Sequence, residues 1–144
     1  MRKKIQAIGI LLTLSFFPYF GYSQCRDFVK EKCIQHLDDY IHDGHYNATS
    51  LEAGEEADLF KTFFKGQEYR IVVAGSEEHK QIEFTVIDIV GNVVYSSRKN
   101  NHSLTWDFTP KHSQKLIISI HVPQFKNKKK ENGCVAVLVG LKGF

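Results

Sequence analysis

Residues 81–97 read Gln-Ile-Glu-Phe-Thr-Val-Ile-Asp-Ile-Val-Gly-Asn-Val-Val-Tyr-Ser-Ser, and this stretch decides the fold class. Ile82, Phe84 and Val86 alternate with polar residues, which is the period of a β-strand with one buried face. Val90-Gly91-Asn92 is a turn signal, and a second apolar run follows it over 93–97. The stretch therefore predicts two antiparallel strands joined by a tight turn.

The same two-residue period recurs on both sides of this hairpin. We predict eight strands, at 50–52, 57–64, 68–74, 81–88, 93–97, 103–108, 115–122 and 133–141. The last of them is nearly all apolar, so we expect a central strand with both faces covered. Eight short strands separated by turns predict a mainly β protein, an antiparallel, jelly-roll-like β-sandwich.

The predicted strands also indicate the core. Leu104, Trp106 and Phe108 alternate strictly along one strand. The strand at 57–64 is ambiguous, because its apolar residues would occupy both faces; we expect either a central strand or a bend with a bulge. The residues that we expect to be buried in one core are Phe84, Val86, Trp106, Phe108, Ile118 and Val137.

One helix is predicted before the strands, over residues 25–42. Apolar residues recur there every four positions, and charged residues fill the opposite side, which is typical of a surface helix packed on a sheet. Asp43-Gly44 is expected to end the helix. The apolar row consists of Cys25, Val29, Cys33, Leu37 and Ile41.

The first 23 residues have the three parts of a secretory signal peptide. Met1 to Lys4 carries positive charge, Ile5 to Phe20 is mostly apolar, and Gly21 and Ser23 place small residues before a cut after Ser23. We therefore predict a signal peptide over 1–23 and a single mature domain over 24–144. The protein would be exported, to a periplasmic, outer-surface or extracellular location. An uncleaved anchor and a lipidated Cys25 are the alternatives.

Charge limits the class of partner. The chain of 144 residues has 19 Lys+Arg and 16 Asp+Glu, a formal net charge of +3. Arg2, Lys3 and Lys4 account for the whole excess, so the mature domain is neutral. A general nucleic-acid binder needs surplus positive charge to displace counterions from phosphates, so we expect no nucleic-acid partner.

Three cysteines, Cys25, Cys33 and Cys134, allow at most one disulfide in an exported chain. Cys33 lies in the apolar row of the helix and Cys134 opens the last apolar strand. We therefore favour a Cys33–Cys134 disulfide. A Cys25–Cys134 bridge is the next choice, and three reduced thiols remain the third possibility.

The residues that could carry chemistry form no recognisable catalytic pattern. There is no Gly-x-Ser-x-Gly turn, no phosphate-binding glycine loop and no Cys-x-x-Cys pair. We predict no catalytic, metal or cofactor residues. The alternative is a small secreted hydrolase or metal-dependent enzyme, which would require histidines to converge with an acid in one pocket. The candidates are His36, His42, His45, His79, His102, His112 and His121.

A lysine run between the last two strands is the remaining candidate site. Lys126, Lys128, Lys129 and Lys130 could contact an anionic surface, with Phe125 beside them. The alternative is a solvated loop whose charges keep an apolar strand edge from pairing. The partner would be an envelope protein or a glycan that the sequence does not name.

Three stretches carry a resemblance to known families. The first is Phe64 to Ile71, the second is Phe84 to Asp88 with Gly91 to Val94 and Ser97, and the third is Trp106-Asp107-Phe108-Thr109-Pro110 with Leu116 to Val122. This order of signals resembles bacterial pre-peptidase C-terminal domains, more distantly GOLD domains, and also small exported proteins of the Bacteroidetes type. The resemblance implies a noncatalytic β-sandwich that serves as an accessory or binding module at the bacterial cell envelope. Some pre-peptidase domains bind calcium through clustered acids, and no such cluster is present.

A third hypothesis is an assembly protein that pairs an edge strand with its partner.

Overall fold

The computed structural model describes residues 21–143, which form two antiparallel sheets packed face to face behind one N-terminal helix. The helix, α1, is Gly21–Phe28, and its axis is continued by a π-helical turn, Val29–Cys33, and a 3-10 turn, Ile34–Leu37. Nine strands follow. They are β1 Tyr40–His42, β2 Asn47–Glu52, β3 Glu56–Phe63, β4 Tyr69–Gly75, β5 Glu83–Asp88, β6 Val93–Ser96, β7 Thr105–Phe108, β8 Gln114–His121 and β9 Asn132–Lys142.

The sheet topology is that of a jelly roll built around the β5–β6 hairpin. β5 pairs with β6, and outside that hairpin β4 pairs with β7, β3 with β8 and β2 with β9, so the pairs are nested like one long hairpin. Rolling up this long hairpin adds the pairings β4–β9 and β5–β8. The result is one sheet in the order β2-β9-β4-β7, with β1 also on β9, and a second in the order β3-β8-β5-β6. The predicted antiparallel sandwich is thus confirmed.

The core lies between the two sheets and contains side chains from both. Phe84, Val86, Ile118 and Val137 are buried there, as the sequence predicts. β9 is a central strand, as predicted, and its residues from Val135 to Gly140 are all buried. Both faces of β9 bury apolar surface, and this burial is the main contribution that stabilises the strand in its central position.

Two expectations about burial need correction. Trp106 and Phe108 pack against the core but remain half-buried. They belong to β7, an edge strand of four residues, so no neighbouring strand covers their outer side. β3 is neither central nor bent, since it pairs in continuous register with β8 alone. Its Phe63 points into the core, whereas Phe60 is 60% exposed on the outer face of the second sheet.

The N-terminal helical segment begins at Gly21 and ends at Leu37, instead of spanning residues 25–42 as predicted. Asp38 has a φ of 51°, which no helix continues, and its carboxylate accepts a hydrogen bond of 2.8 Å from Arg70 of β4. The chain then turns into β1, which pairs with β9. Tyr40 is consequently buried and Ile41 is 63% exposed, although the four-residue row had placed Ile41 on the buried side. Pairing with β9 therefore overrides the local helical pattern.

The disulfide joins Cys25 of α1 to Cys134 of β9, with a Cα–Cα distance of 5.3 Å. The favoured Cys33–Cys134 pairing is wrong, and the second choice is the one found. Residues 25 and 33 share one helical stripe but lie about 12 Å apart along it, so only one of them can reach Cys134. The bridge still fastens the helix to the last strand. Because the Sγ atom of Cys25 is bonded to Cys134, it cannot also carry the thioether of a lipid in this structure.

Cys33 is a free thiol in a second apolar cluster, between the helix and the outer face of the first sheet. It is fully buried, and burial raises its pKa to about 11. The thiolate is the reactive form of cysteine. We therefore predict that a thiol reagent at pH 8 leaves the folded protein unlabelled and modifies one thiol after unfolding in denaturant without reductant. Labelling of the folded protein at the rate of a free model thiol would contradict the burial of Cys33.

Candidate binding surface at the Phe125 end

The seven histidines do not form one site. His79 is buried and structural, since its Nε2 lies 2.6 Å from the carbonyl oxygen of Leu51. His42 and His45 both approach Asp43, at 3.7 and 3.6 Å. His121 and His102 lie near separate acids, Glu56 at 3.3 Å and Glu83 at 3.6 Å. Of the three candidate histidines near the end of the predicted helix, His36, His42 and His45, only the last two approach the same acid.

Convergence of two histidines on one acid was the sequence criterion in favour of an enzyme. Among the described residues, two histidines lie within 4 Å of the same acid at Asp43 alone, although Arg98, His102 and His121 all lie close enough to Glu83 to lower its pKa. There Lys61 already forms an ion pair with Asp43, and the side chain of His45 is 73% exposed. The serine or cysteine nucleophile of a hydrolase that uses histidine as its base is hydrogen-bonded to that histidine. Between residues 25 and 143 no hydroxyl or thiol group hydrogen-bonds to a histidine side chain, and no three His, Cys, Asp or Glu residues are placed to hold a metal ion.

The predicted lysine run lies at one end of the sandwich, in the β8–β9 loop. The loops β4–β5 and β6–β7 meet it there, and we call this region the basic end, defined as residues 76–82, 97–104 and 122–131. Phe125 is 43% exposed at its centre. The Nζ atom of Lys128 lies 5.4 Å from the centroid of the Phe125 ring, a cation–π distance.

Two clefts flank Phe125. The first has a volume of about 240 Å³, and Lys128 and Lys129 line it together with Glu77, Glu78 and Glu131. The second has a volume of about 610 Å³, and Arg98, His102 and Leu104 line it. Both share the wall formed by Lys80, Gln81, Ile82, Pro123 and Phe125. A concave surface with an aromatic centre and a few polar groups has the composition of a ligand site.

The β6–β7 loop holds its side of the second cleft in a fixed backbone conformation. Asn101 and His102 both have positive φ, 55° and 54°, which L-residues adopt at a cost of about 1–2 kcal/mol each. Ser97, fully buried, anchors the loop: its hydroxyl accepts the N–H of Phe84 at 2.9 Å and its carbonyl accepts the N–H of His102 at 2.8 Å. Such strained residues are common at binding sites.

The acidic residues of the basic end are largely paired. Glu77 binds Lys80 at 2.5 Å, and Glu78 accepts the Ser76 hydroxyl. Glu83, beside the end, binds Arg98 at 2.5 Å, and the Arg98 guanidinium holds the pKa of Glu83 below its ordinary value.

The predicted lysines differ in their surroundings. Within the described part of the chain, none of the lysines in the run forms an ion pair. Lys128 and Lys129 line the first cleft, whereas Lys126 and Lys130 are exposed in the loop and line neither cleft. These amines are therefore available to an anionic partner.

Sequence reasoning did not find Lys80, Arg98 and His102 as part of this surface. They lie in two loops, β4–β5 and β6–β7, that are distant in the chain from the lysine run. The order of the strands could have indicated this grouping. Successive loops of an antiparallel fold lie at alternating ends, so the loops after β4, β6 and β8 share one end. The pairing order had to be known before that rule could be applied.

Comparisons with protein families and with curated proteins give no match. Among solved structures, the chain is similar to PliG of Aeromonas hydrophila, which is described as a periplasmic lysozyme inhibitor of g-type lysozyme. The sequence identity is 14%, the TM-score is 0.53, and the alignment covers 67% of this chain and 84% of PliG. This similarity concerns the fold. Over residues 21–143 no helix combines the length and the apolar character needed to cross a bilayer.

Proposed function

We propose that this protein is an exported, noncatalytic binding module that holds an anionic protein or glycan of the bacterial envelope at its basic end. The observation that carries the proposal is the pair of clefts on either side of Phe125, one of them bordered by lysines without acidic partners. Aromatic side chains with adjacent cations are typical centres of binding energy. The predicted signal peptide and the disulfide support a location outside the reducing cytoplasm.

The likeness to PliG supports a protein as the partner. PliG is named for binding to g-type lysozyme as an inhibitor, and the two chains share the sandwich fold. A g-type lysozyme is therefore the first defined probe. Inhibition of that enzyme by the purified protein would identify the partner class, whereas a lysozyme rate unchanged at a large excess of the protein would remove this enzyme from consideration.

Charge reversal tests the proposed surface. We predict that Lys128→Glu with Lys129→Glu weakens capture of the envelope partner by at least about tenfold, because two attractive contacts become repulsive. Added salt should weaken the wild-type interaction as well. The measurement is the amount of protein or glycan retained from an envelope extract by the immobilised protein.

A matched control lies at the opposite end of the sandwich. Lys65 and Lys111 are exposed there, next to the start of β8, and Lys65→Glu with Lys111→Glu changes the net charge by the same amount. Capture should be unchanged in this variant. Equal losses in both variants would show a nonspecific charge effect, and no loss in the first would place the binding surface elsewhere.

A further inference from the structure

The outer face of the second sheet, β3-β8-β5-β6, carries a polar pocket with a volume of about 410 Å³. Strand pairing places His121 of β8 in it, registered with Glu56 on one side and with Glu83 on the other. The Nδ1 atom of His121 is buried and makes no hydrogen bond, although Oε1 of Glu56 lies 3.3 Å away. A buried polar atom without a partner is uncommon in a folded protein. It points to a group that the chain itself does not supply.

A row of hydroxyl groups crosses the sheet beside His121. Thr85 of β5 is registered with Ser119 of β8 and with Ser96 of β6, and all three line the pocket. In the described part of the chain none of these three hydroxyl groups takes part in a hydrogen bond. Each offers one donor and two acceptor positions. Asp58 of β3, which is exposed and registered with Ser119, continues the row outside the pocket.

The charges that line the pocket balance. Glu56 and Glu83 are matched by Arg98 and Lys99, and Arg98 is already bound to Glu83 at 2.5 Å. Asp58 at the rim adds one negative charge, which repels an anionic ligand. This balance favours a ligand that is polar and uncharged.

The backbone of this face offers no hydrogen bonds to a peptide. β8 and β5 are inner strands, and each is paired on both sides. A peptide that binds by adding a strand needs a free sheet edge, whereas this face presents only side chains. Hydroxyl, carboxylate and imidazole groups side by side match a ligand that carries many hydroxyl groups of its own.

An exposed aromatic ring lies next to these polar rows. Phe60 is two residues along β3 from Asp58, on the same face, and it is 60% exposed. The face of an aromatic ring carries negative charge density, which attracts the C–H groups on the flat side of a sugar ring. From Glu56 to Phe60 the face extends about 13 Å along β3, the length of a short oligosaccharide.

We propose that this face binds a short neutral oligosaccharide. Sugar hydroxyl groups bond to Nδ1 of His121, to the row of Thr85 and Ser119 and to the Asp58 carboxylate, and one sugar ring stacks on Phe60. The site goes beyond the function proposed for the basic end. The two are neighbours, because Glu83 and Arg98 line both this pocket and the second cleft beside Phe125.

Titration of the exported protein with four neutral trisaccharides, each up to about 10 mM so that weak binding is detected, tests the proposal. The probes are maltotriose, cellotriose, mannotriose and triacetylchitotriose. We expect at least one to bind and to shift the amide NMR signals of residues 56–60, 83–85 and 117–121. Phe60→Ala and His121→Ala should each raise its dissociation constant at least about tenfold. Phe60 is exposed, so its replacement leaves the fold intact, and circular dichroism checks both variants.

Phe64→Ala is the matched control, because Phe64 is equally exposed, at 62%, but lies four residues further along the chain, beyond the end of β3. Its affinity for the sugar should equal that of the wild type. The same holds for Lys128→Glu with Lys129→Glu, so this proposal and that of the basic end fail separately. Absence of binding for all four sugars overturns the proposal, and so does an affinity that neither Phe60→Ala nor His121→Ala changes.

Discussion

Replacing Cys25 or Cys134 with serine should lower the free energy of unfolding of the oxidised protein by about 2–5 kcal/mol. The disulfide links residues 109 positions apart, and closing so long a loop removes much conformational entropy from the unfolded chain. It also holds α1 on β9, so its loss should loosen the helix and expose the cluster around Val29 and Cys33. The measurement is chemical unfolding with and without reductant.

The three single variants discriminate between the pairings. Cys25→Ser and Cys134→Ser should unfold at the same denaturant concentration with and without reductant, because neither contains the bridge. Cys33→Ala should lose some stability through the change of a buried side chain, yet remain sensitive to reductant. If Cys33→Ala were insensitive and Cys25→Ser sensitive, the bridge would join Cys33 to Cys134 and the observed pairing would be refuted.

Phe63→Ala should cost about 3–5 kcal/mol, because it leaves a large cavity between the sheets. Phe63 is fully buried, and its ring meets those of Tyr69 and Phe108 edge to face, with centroids 4.9 and 5.0 Å away. Such aromatic pairs stabilise a core beyond the area that they bury. Equilibrium unfolding in urea, compared with the wild type, gives the difference.

The next residue is the control. Phe64 is 62% exposed, so Phe64→Ala should change the free energy of unfolding by about 0.5 kcal/mol or less. Two adjacent phenylalanines would then differ severalfold in their contribution to stability. Equal effects of the two substitutions would mean that the side chain of Phe63 does not point into the core.

Local patterns predicted most of the strands because a strand with one buried face leaves its period in the sequence. The hairpin around Gly91 is the clearest case: alternation before it, a glycine with a φ of 94° in the turn, and an apolar run after it. β1 was missed because residues 40–42 continue the helical row in composition. Their conformation is imposed by pairing with β9 and by the Arg70 contact at Asp38, which are distant in sequence.

The candidate site was predictable only in part, for the same reason. The lysines next to Phe125 lie within residues 126–130 and are visible in the sequence, whereas Arg98 and His102 approach Phe125 only through the nesting of the strands. The hairpin tip shows the opposite case. The sequence already placed Val90 in a predicted turn, but only the turn geometry shows that Ile89 and Val90 are exposed to solvent.

The sequence by itself determined the sandwich, the position of eight of its strands, the central place of β9 and the predicted export signal, because each follows from the order of neighbouring residues. The tertiary structure decided which cysteine reaches Cys134, where the helix ends, which of the β3 phenylalanines is buried, and which loops meet at Phe125. These depend on distances between segments far apart in the chain. The sequence pattern cannot distinguish Cys25 from Cys33, because both lie in the same apolar stripe. A disulfide requires Cα atoms within about 7 Å, and only the packed fold determines which of the two cysteines comes that close to Cys134.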